Sequence, residues 1–343
     1  MHKQDRNRFF MTISGLFALI CFAGYIHITN GTFDMSVKDV VTTLLRMNPN
    51  HDFDLVIFEF RLPRIVIAAL VGLGLGVAGT VVQGVTRNGL ADPGILGINA
   101  GAGAAIVILM FLFQMQVTVS GTSNWLSILI MPVFGFVGGL VAAIIIYSIA
   151  WRNGKLDTER LILTGIAISS GFGALSMYIS LKMREGDFEM ATVWMSGSIY
   201  NANWLFIVAM LPWLLILVPV IYRKAYLLDY LQLEEASIKS LGIRVEKEKS
   251  ILLLSSIGVI SACVSVSGSI SFIGLMAPHI ARQLVGIHHR YVIPTSGAVG
   301  MLLVVISDYI AKTVFAPAEI PVGIVVAILG VPYFLYLLVK SKA

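Results

Sequence analysis

Residues 64–85 read RIVIAALVGLGLGVAGTVVQGV. After Arg64 the run carries no charge and a single amide, Gln83. As an α-helix, 22 residues rise about 33 Å, enough to cross the hydrocarbon core of a bilayer. Inside the run, Gly74-Leu75-Gly76-Val77-Ala78-Gly79 matches the dinucleotide fingerprint G-x-G-x-x-G. That fingerprint needs a strand before it and a helix opening on it; here it sits inside one unbroken apolar stretch. Gly72 and Gly76 form a G-x-x-x-G pair, as do Gly135 and Gly139. This spacing lets helix backbones approach closely in lipid. A membrane helix packed through its glycines is the better reading.

The rest of the chain has the same character. Of 343 residues, 57% are hydrophobic and 13% charged, with a mean hydropathy of +0.87. Soluble domains carry about 25% charged residues, so an ordinary globular enzyme is excluded, and so is disorder. Apolar stretches mark spans at about 9–28, 64–85, 95–114, 124–150, 160–181, 203–222, 250–267, 271–287, 295–315 and 321–339. The eighth is the weakest, interrupted by Pro278, His279 and Arg282. The first follows Lys3, Arg6 and Arg8 and is too long for the apolar core of a signal peptide, so an uncleaved helix is expected. Cys21 and Cys263 lie far apart in apolar runs and imply no disulfide framework.

Charge sets the orientation. With the N-terminus inside, ten spans put both termini in the cytoplasm, and the inner segments then hold 17 Lys and Arg against 6 outside. Such a bias in positive residues alone is the form of the positive-inside rule. The fold class expected is therefore an all-α polytopic membrane protein of about ten transmembrane helices, forming one domain over 1–343. Its longest inner connection, about 223–249, reads as short amphipathic helices: Tyr230, Leu231, Leu233, Ile238, Leu241 and Ile243 alternate with Glu234, Glu235, Lys239 and Arg244. A solvated interfacial loop and a docking surface for a cytoplasmic partner fit that pattern equally.

Chemical motifs are sparse. No G-x-x-x-x-G-K-[ST] occurs, so the chain binds no ATP by a P-loop, and there is no H-E-x-x-H. His288 and His289, adjacent in an inner loop, fit a metal site less well than a solvated pair. Pro278 is expected to kink its helix, and His279 to hydrogen-bond a freed carbonyl. Asp308 and Lys312 stand four apart in one span, a spacing at which they would pair with each other. Ion-coupled transporters place more charge than that in the membrane, which argues against secondary transport. An intramembrane enzyme lacks any nucleophile–base or metal motif here.

Several long stretches carry a resemblance. Arg61-Leu62-Pro63-Arg64, the glycine-rich helix with Gln83, and the run Arg87-Asn88-Gly89-Leu90-Ala91-Asp92-Pro93-Gly94 are the first. Leu163-Thr164-Gly165, Trp194-Met195-Ser196-Gly197-Ser198 and the run from Gly268 to Arg282 follow, and Glu319-Ile320-Pro321-Val322-Gly323 with Gly330 and Pro332 closes the pattern. Over about residues 55–340 the chain resembles the FecCD-type permeases, membrane subunits of ABC importers for iron–siderophore complexes, haem and vitamin B12.

The resemblance implies a ten-helix fold and a permease subunit of a ferric-siderophore importer in the bacterial cytoplasmic membrane. It implies a second permease subunit (a heterodimer is expected), two ATPase subunits below and a binding lipoprotein or periplasmic protein above. A permease of this kind is no enzyme and needs no cofactor or metal, since ATP is used by the partner and the iron stays in its chelator. ATPase coupling is assigned to Glu234, Glu235, Ile238, Lys239, Leu241 and Gly242. Here the chain departs from the family: Glu234 stands where Gly is usual, Ile238 where a small residue is usual, and Gly89 for Pro. Binding-protein docking is assigned to Arg61, Arg64 and Lys312, where Lys keeps a charge but loses the fork of the usual Arg. The translocation path is expected along Ser169, Ser170, Gly171 and Gly173 of the fifth span. A vitamin B12 or haem permease is the alternative within the fold, and an ion-coupled secondary transporter the alternative outside it.

Overall fold

In lipid every backbone polar group must be satisfied within the protein, so apolar runs of this length become helices. The computed structural model describes residues 3–31, 33, 35–47, 50–113, 125–233, 235–240 and 242–340. In chain order the helices are α1 (Lys3–Thr29), α2 (Val37–Leu44), α3 (His51–Asp54), α4 (Leu62–Thr86), α5 (Ile98–Phe113), α6 (Trp125–Ala150), α7 (Thr158–Ser180) and α8 (Glu185–Met195). They continue as α9 (Trp204–Arg223), α10 (Ala225–Tyr230), α11 (Glu235–Ser240), α12 (Val245–Ser267), α13 (Ile273–Val285), α14 (His289–Thr313) and α15 (Val322–Lys340). A π-helical stretch, Leu55–Arg61, joins α3 to α4 into one helical run. The only sheet among the described residues is a two-stranded hairpin, Trp151–Arg152 with Lys155–Leu156.

Eight of the described helices are long and apolar enough to cross a membrane. The expected span at 271–287 differs: it is a helix of 13 residues, which at 1.5 Å per residue rises about 20 Å, short of a hydrocarbon core. In the expected span at 95–114, α5 runs from Ile98 to Phe113, the last described residue of that stretch. Local punctuation sets where both begin. Pro93 and Gly97, which turns at φ +68°, delay the start of α5. Gly268 at φ +65° and Phe272 at φ +67° break the chain between α12 and α13.

α4 and α12 form the centre: 72% and 83% of their most apolar stretches lie buried inside the protein, against 11% in α1 and α7. α4 packs on α14 through its glycines. A Cβ at Gly72 would stand 2.2 Å from the carbonyl oxygen of Gly300, and one at Gly76 2.3 Å from that of Ser296. A Cβ at Gly138 of α6 would stand 2.6 Å from the carbonyl oxygen of Gly101 of α5. Packing, not nucleotide binding, therefore accounts for the glycine-rich run. The peripheral α1 and α7 turn Phe10, Phe17, Phe22, Leu163, Ile166 and Tyr178 outward, an apolar surface that requires lipid or another subunit against it.

Proline chemistry shapes α13. Pro278 has no N–H for the carbonyl of Gly274. That carbonyl is reached from α4, where Gln83 Nε2 lies 3.4 Å from it and 3.3 Å from the carbonyl of Leu275. Gln83 Oε1 in turn accepts from Arg282 Nη2. His279, expected in this role, meets the side chain of Gln283 at 2.9 Å.

Candidate functional site

Three regions carry polar groups that the membrane-length helices alone do not explain. The first lies at the end of the bundle expected outside. Arg64, one residue past Pro63 at the start of α4, directs its Nε to Asp308 Oδ2 at 2.8 Å and its Nη2 to Oδ1 at 2.9 Å, a bidentate fork. Its Nη1 donates to Glu319 Oε2 at 2.7 Å. His27 Nε2 meets Asp308 Oδ2 at 2.8 Å from α1. Asp308 is 1% exposed, so these partners replace water entirely. The expected Asp308–Lys312 pair does not form among the described residues: Lys312 Nζ donates to the carbonyl of Asn30 at 3.2 Å.

Arg61 is also turned inward, 4% exposed, donating to the carbonyls of Ile28 and Phe33. Gly31 permits this approach, since a Cβ there would stand 2.7 Å from Arg61 Nη2. The two arginines expected to dock a partner thus form the floor of a cleft of about 650 Å³, whose rim includes Glu59, Tyr200, Asn201 and Lys312. Lys312 is half-buried and the most accessible of the three expected cations.

The second region is the inner connection. α10 and α11 are the short helices expected there, separated by a turn at 231–233. Ile238 is fully buried and packs in the core, and Gly242 turns at φ +76°. Glu234 and Leu241 lie outside the described residues, as do the side chains of Glu235 and Lys239. What ties the connection to the bundle is Arg87. It ends α4 in a left-handed conformation, φ +52°, and donates to the carbonyls of Leu231 and Leu233, the latter at 2.6 Å. Gln232 Nε2 adds a bond to the carbonyl of Gly84 at 3.2 Å. On the other side, Asp229 of α10 receives the backbone N–H of His289 at 3.0 Å and its Nδ1 at 2.6 Å. Burial opposes charge on Asp229, but the bonds from His289 and the two neighbouring histidines outweigh it and hold the carboxyl below its usual range. His289 is therefore a buried partner of Asp229, not a solvated histidine; His288 is the exposed one.

The third region is where helices break. Ser196–Ile199, Gly268–Phe272 and the approach to Val322 meet backbone to backbone: Gly323 N–H donates to the carbonyl of Gly197 at 2.9 Å. A Cβ at Gly323 would stand 2.2 Å from the carbonyl oxygen of Ser196, and one at Gly197 2.6 Å from that of Ser269. Beside this junction opens a cleft of about 680 Å³ lined by Ser196, Ser269, Ser271, Phe272 and Ile324. Asp92 accepts from the backbone N–H groups of Phe272 and Gly94; burial dominates and pushes its carboxyl up to about 6. Phe272 in a left-handed conformation is strained, which is tolerated where the surroundings over-determine it. The serines of this cleft escaped sequence reasoning because they lie between helices rather than on one face. The expected path residues lie on α7: Ser170 and Gly171 are exposed, Ser169 and Gly173 half-buried, and a Cβ at either glycine would meet nothing within 4 Å.

The sequence pattern described as the FecCD transport family matches residues 18–340. The iron-uptake system permease protein FeuC of Bacillus subtilis is 54% identical over 95% of this chain and 96% of its own length. The iron(3+)-hydroxamate import system permease protein FhuG of the same organism is 42% identical over 99% of this chain and 100% of its own. A solved structure described as an inward-facing metal-chelate type ABC transporter superposes with a TM-score of 0.80 at 27% identity, covering 95% of this chain and 98% of that one.

Proposed function

The chain belongs to the FecCD transport family, and from that premise we propose that it is the membrane-spanning permease subunit of an ABC importer for ferric-siderophore complexes. End-to-end identity of 54% to an iron-uptake permease carries this reading. In it α5 and α13 complete ten membrane segments, both termini are cytoplasmic, and the membrane is the bacterial cytoplasmic one. A second permease subunit covers the apolar face of α7. A binding protein docks at the cleft rimmed by Lys312, above Arg61 and Arg64. An ATPase dimer engages the 223–249 connection, with Glu234, Glu235, Ile238, Lys239, Leu241 and Gly242 as its coupling segment.

The mechanism supported by the geometry is alternating access. α4 joins both ends of the molecule. At one end Arg87 and Gly84 hold the α10–α11 turn; at the other Arg64 holds Asp308 and Glu319. A displacement of the inner connection by the ATPase is thereby delivered along α4 to α14 and to the outer cleft. The chelate passes the cleft of broken helices at Ser196, Ser269 and Ser271 and the open face of Ser169, Ser170, Gly171 and Gly173. Non-helical backbone at membrane depth is tolerated where it lines a cavity, and broken helices mark substrate paths in transporters. The cleft supplies the weakly polar hydroxyls of Ser196, Ser269 and Ser271.

Uptake of iron-55 chelates by a strain lacking this gene, complemented by the gene, tests the reading. Uptake should return for at least one siderophore and should stop when the partner ATPase carries a hydrolysis-dead substitution. Uptake that continues without ATP hydrolysis would point to secondary transport. Uptake of haem or cobalamin with no siderophore transported would point to the related cargo.

A further inference from the structure

We propose that α2 is a membrane-interface helix, whose uncovered apolar side lies in lipid at the boundary between headgroups and acyl chains. The inference rests on the orientation proposed above only for naming the leaflet as the outer one. α2 starts with a capping box: Ser36 Oγ accepts from the backbone N–H of Asp39 at 3.2 Å, and Asp39 Oδ2 accepts from that of Ser36 at 3.0 Å. A helix of eight residues does not persist by itself in water, so α2 depends on what its sides meet. Val40 and Thr43 turn inward and are buried, and Val40 packs with Ile28 of α1 and Ile57 of the π-helical stretch. Lys38, Asp39 and Thr42 make a polar side. Val37, Val41, Leu44 and, just past the helix end, Leu45 share a third side about 100° wide. These four are 40–60% exposed, and that side carries no charge.

Two observations set the depth. Ile28 is the next-to-last residue of α1, so its contact with Val40 puts α2 level with the end of a membrane-length helix. The same cluster takes in Phe58, whose carbonyl receives Trp204 Nε1 at 2.7 Å from the start of α9. Trp204 is exposed, as is Tyr25 one turn before the end of α1. Such rings, apolar with one polar group, collect at the membrane–water interface. An amphipathic helix at that depth lies in the interface with its aliphatic side toward the acyl chains. Leu55 and Phe60, on the stretch that carries Ile57, are exposed as well and extend the apolar surface. A binding protein is the other candidate to cover α2. It would leave four aliphatic side chains in water whenever it departs, and contiguous apolar surface in water is unfavourable; lipid covers them throughout. The contact bears on the outer cleft, because Phe33, whose carbonyl accepts from Arg61, stands three residues before the Ser36 cap. Holding α2 at the membrane surface holds that acceptor within reach of Arg61.

The test uses the whole transporter, permease with its partner subunits, in liposomes of phosphatidylcholine and phosphatidylglycerol. The exposed Cys21 is replaced by serine, while Cys263 is buried and stays. A nitroxide is attached in Val41→Cys, Leu45→Cys or Lys38→Cys, and the complex with no added cysteine supplies the background. Phe22→Cys, on the exposed side of α1, is the lipid reference. Electron paramagnetic resonance then compares collisions with oxygen, which is enriched in lipid, and with a water-soluble nickel chelate. The Val41→Cys and Leu45→Cys labels should favour oxygen over nickel at least about threefold more than the Lys38→Cys label does. Adding the loaded binding protein should leave both unchanged. Ratios equal to that of Lys38→Cys overturn the proposal, because the side then faces water. Labels shielded from oxygen and nickel alike before any binding protein is added would mean that another subunit covers α2, and overturn it too. So would nickel access that disappears only with the binding protein, which would make α2 its docking surface. Free nickel access at Phe22→Cys would overturn the membrane placement of α1, and the proposal with it.

Discussion

Asp308 shows what burial demands of one side chain. Its carboxylate receives Arg64 in a fork and His27 from a third helix, with almost no water in reach. Removing one partner of such a pair leaves an uncompensated charge, which costs about 3–5 kcal/mol. Asp308→Asn should therefore lower thermal stability in detergent sharply, and Asp308→Leu with Arg64→Met should recover much of it. A single variant as stable as wild type would mean that Arg64 finds other acceptors. Asp92 offers the opposite case. Its carboxyl is raised to about 6 by burial, so folding favours the protonated form. Stability from this group is present below the ordinary carboxylate range, near pH 4, and is lost as pH rises through about 6. Melting temperature should fall between about pH 4 and 6, and Asp92→Asn should flatten that slope. An unchanged slope would place the titration elsewhere.

Helices meet here through what their sequences leave out. At Gly76 even one methyl would stand 2.3 Å from the carbonyl oxygen of Ser296, a backbone atom that cannot swing aside. Gly76→Ala should thus push α4 from α14, with overpacking costs of about 1–3 kcal/mol or more, seen as reduced accumulation in the membrane. Normal accumulation and transport would show that α14 yields at little cost. Arg87 plays its part at the end of the same helix by holding the carbonyls of Leu231 and Leu233. Arg87→Ala should leave the permease folded and inserted but uncouple it: ATP hydrolysis should persist while uptake falls at least about tenfold, since two charge-assisted bonds are lost. Proportional loss of hydrolysis and uptake would instead make Arg87 a docking residue.

For the whole molecule the question is which surface meets which partner. Arg61 and Arg64 are committed to internal acceptors, so charge reversal there tests folding as much as docking. Lys312, on the rim of the same cleft, is the cleaner probe. Lys312→Glu should weaken capture of the loaded binding protein and reduce its stimulation of ATP hydrolysis, with basal hydrolysis intact. The wild-type interaction should weaken as salt rises, because exposed charges are screened over about 8 Å at physiological ionic strength. A salt-independent interaction unaffected by the reversal would move the docking surface away from this cleft.

Hydropathy by itself determined that the chain is an all-α membrane protein, because the cost of exposing polar backbone to lipid acts on each stretch separately. The glycine spacing of α4 belongs to the same class: Gly72 and Gly76 lie on one face of any helix, whatever it meets. Family-specific blocks such as Arg61-Leu62-Pro63-Arg64 and Glu319-Ile320-Pro321 were legible too, though not what they contact. Only the tertiary structure decided that α13 is short, that Arg64 joins Asp308 and Glu319, that Gln83 serves the carbonyl freed by Pro278, and that Arg87 clamps the inner turn. The physical reason is the same in each case. A buried polar group must find a partner, and the partner that satisfies Asp308 lies 244 residues away, where local spacing pointed to Lys312, four residues on. Sequence distance predicts such pairs only within a helix; across helices the choice belongs to the packing.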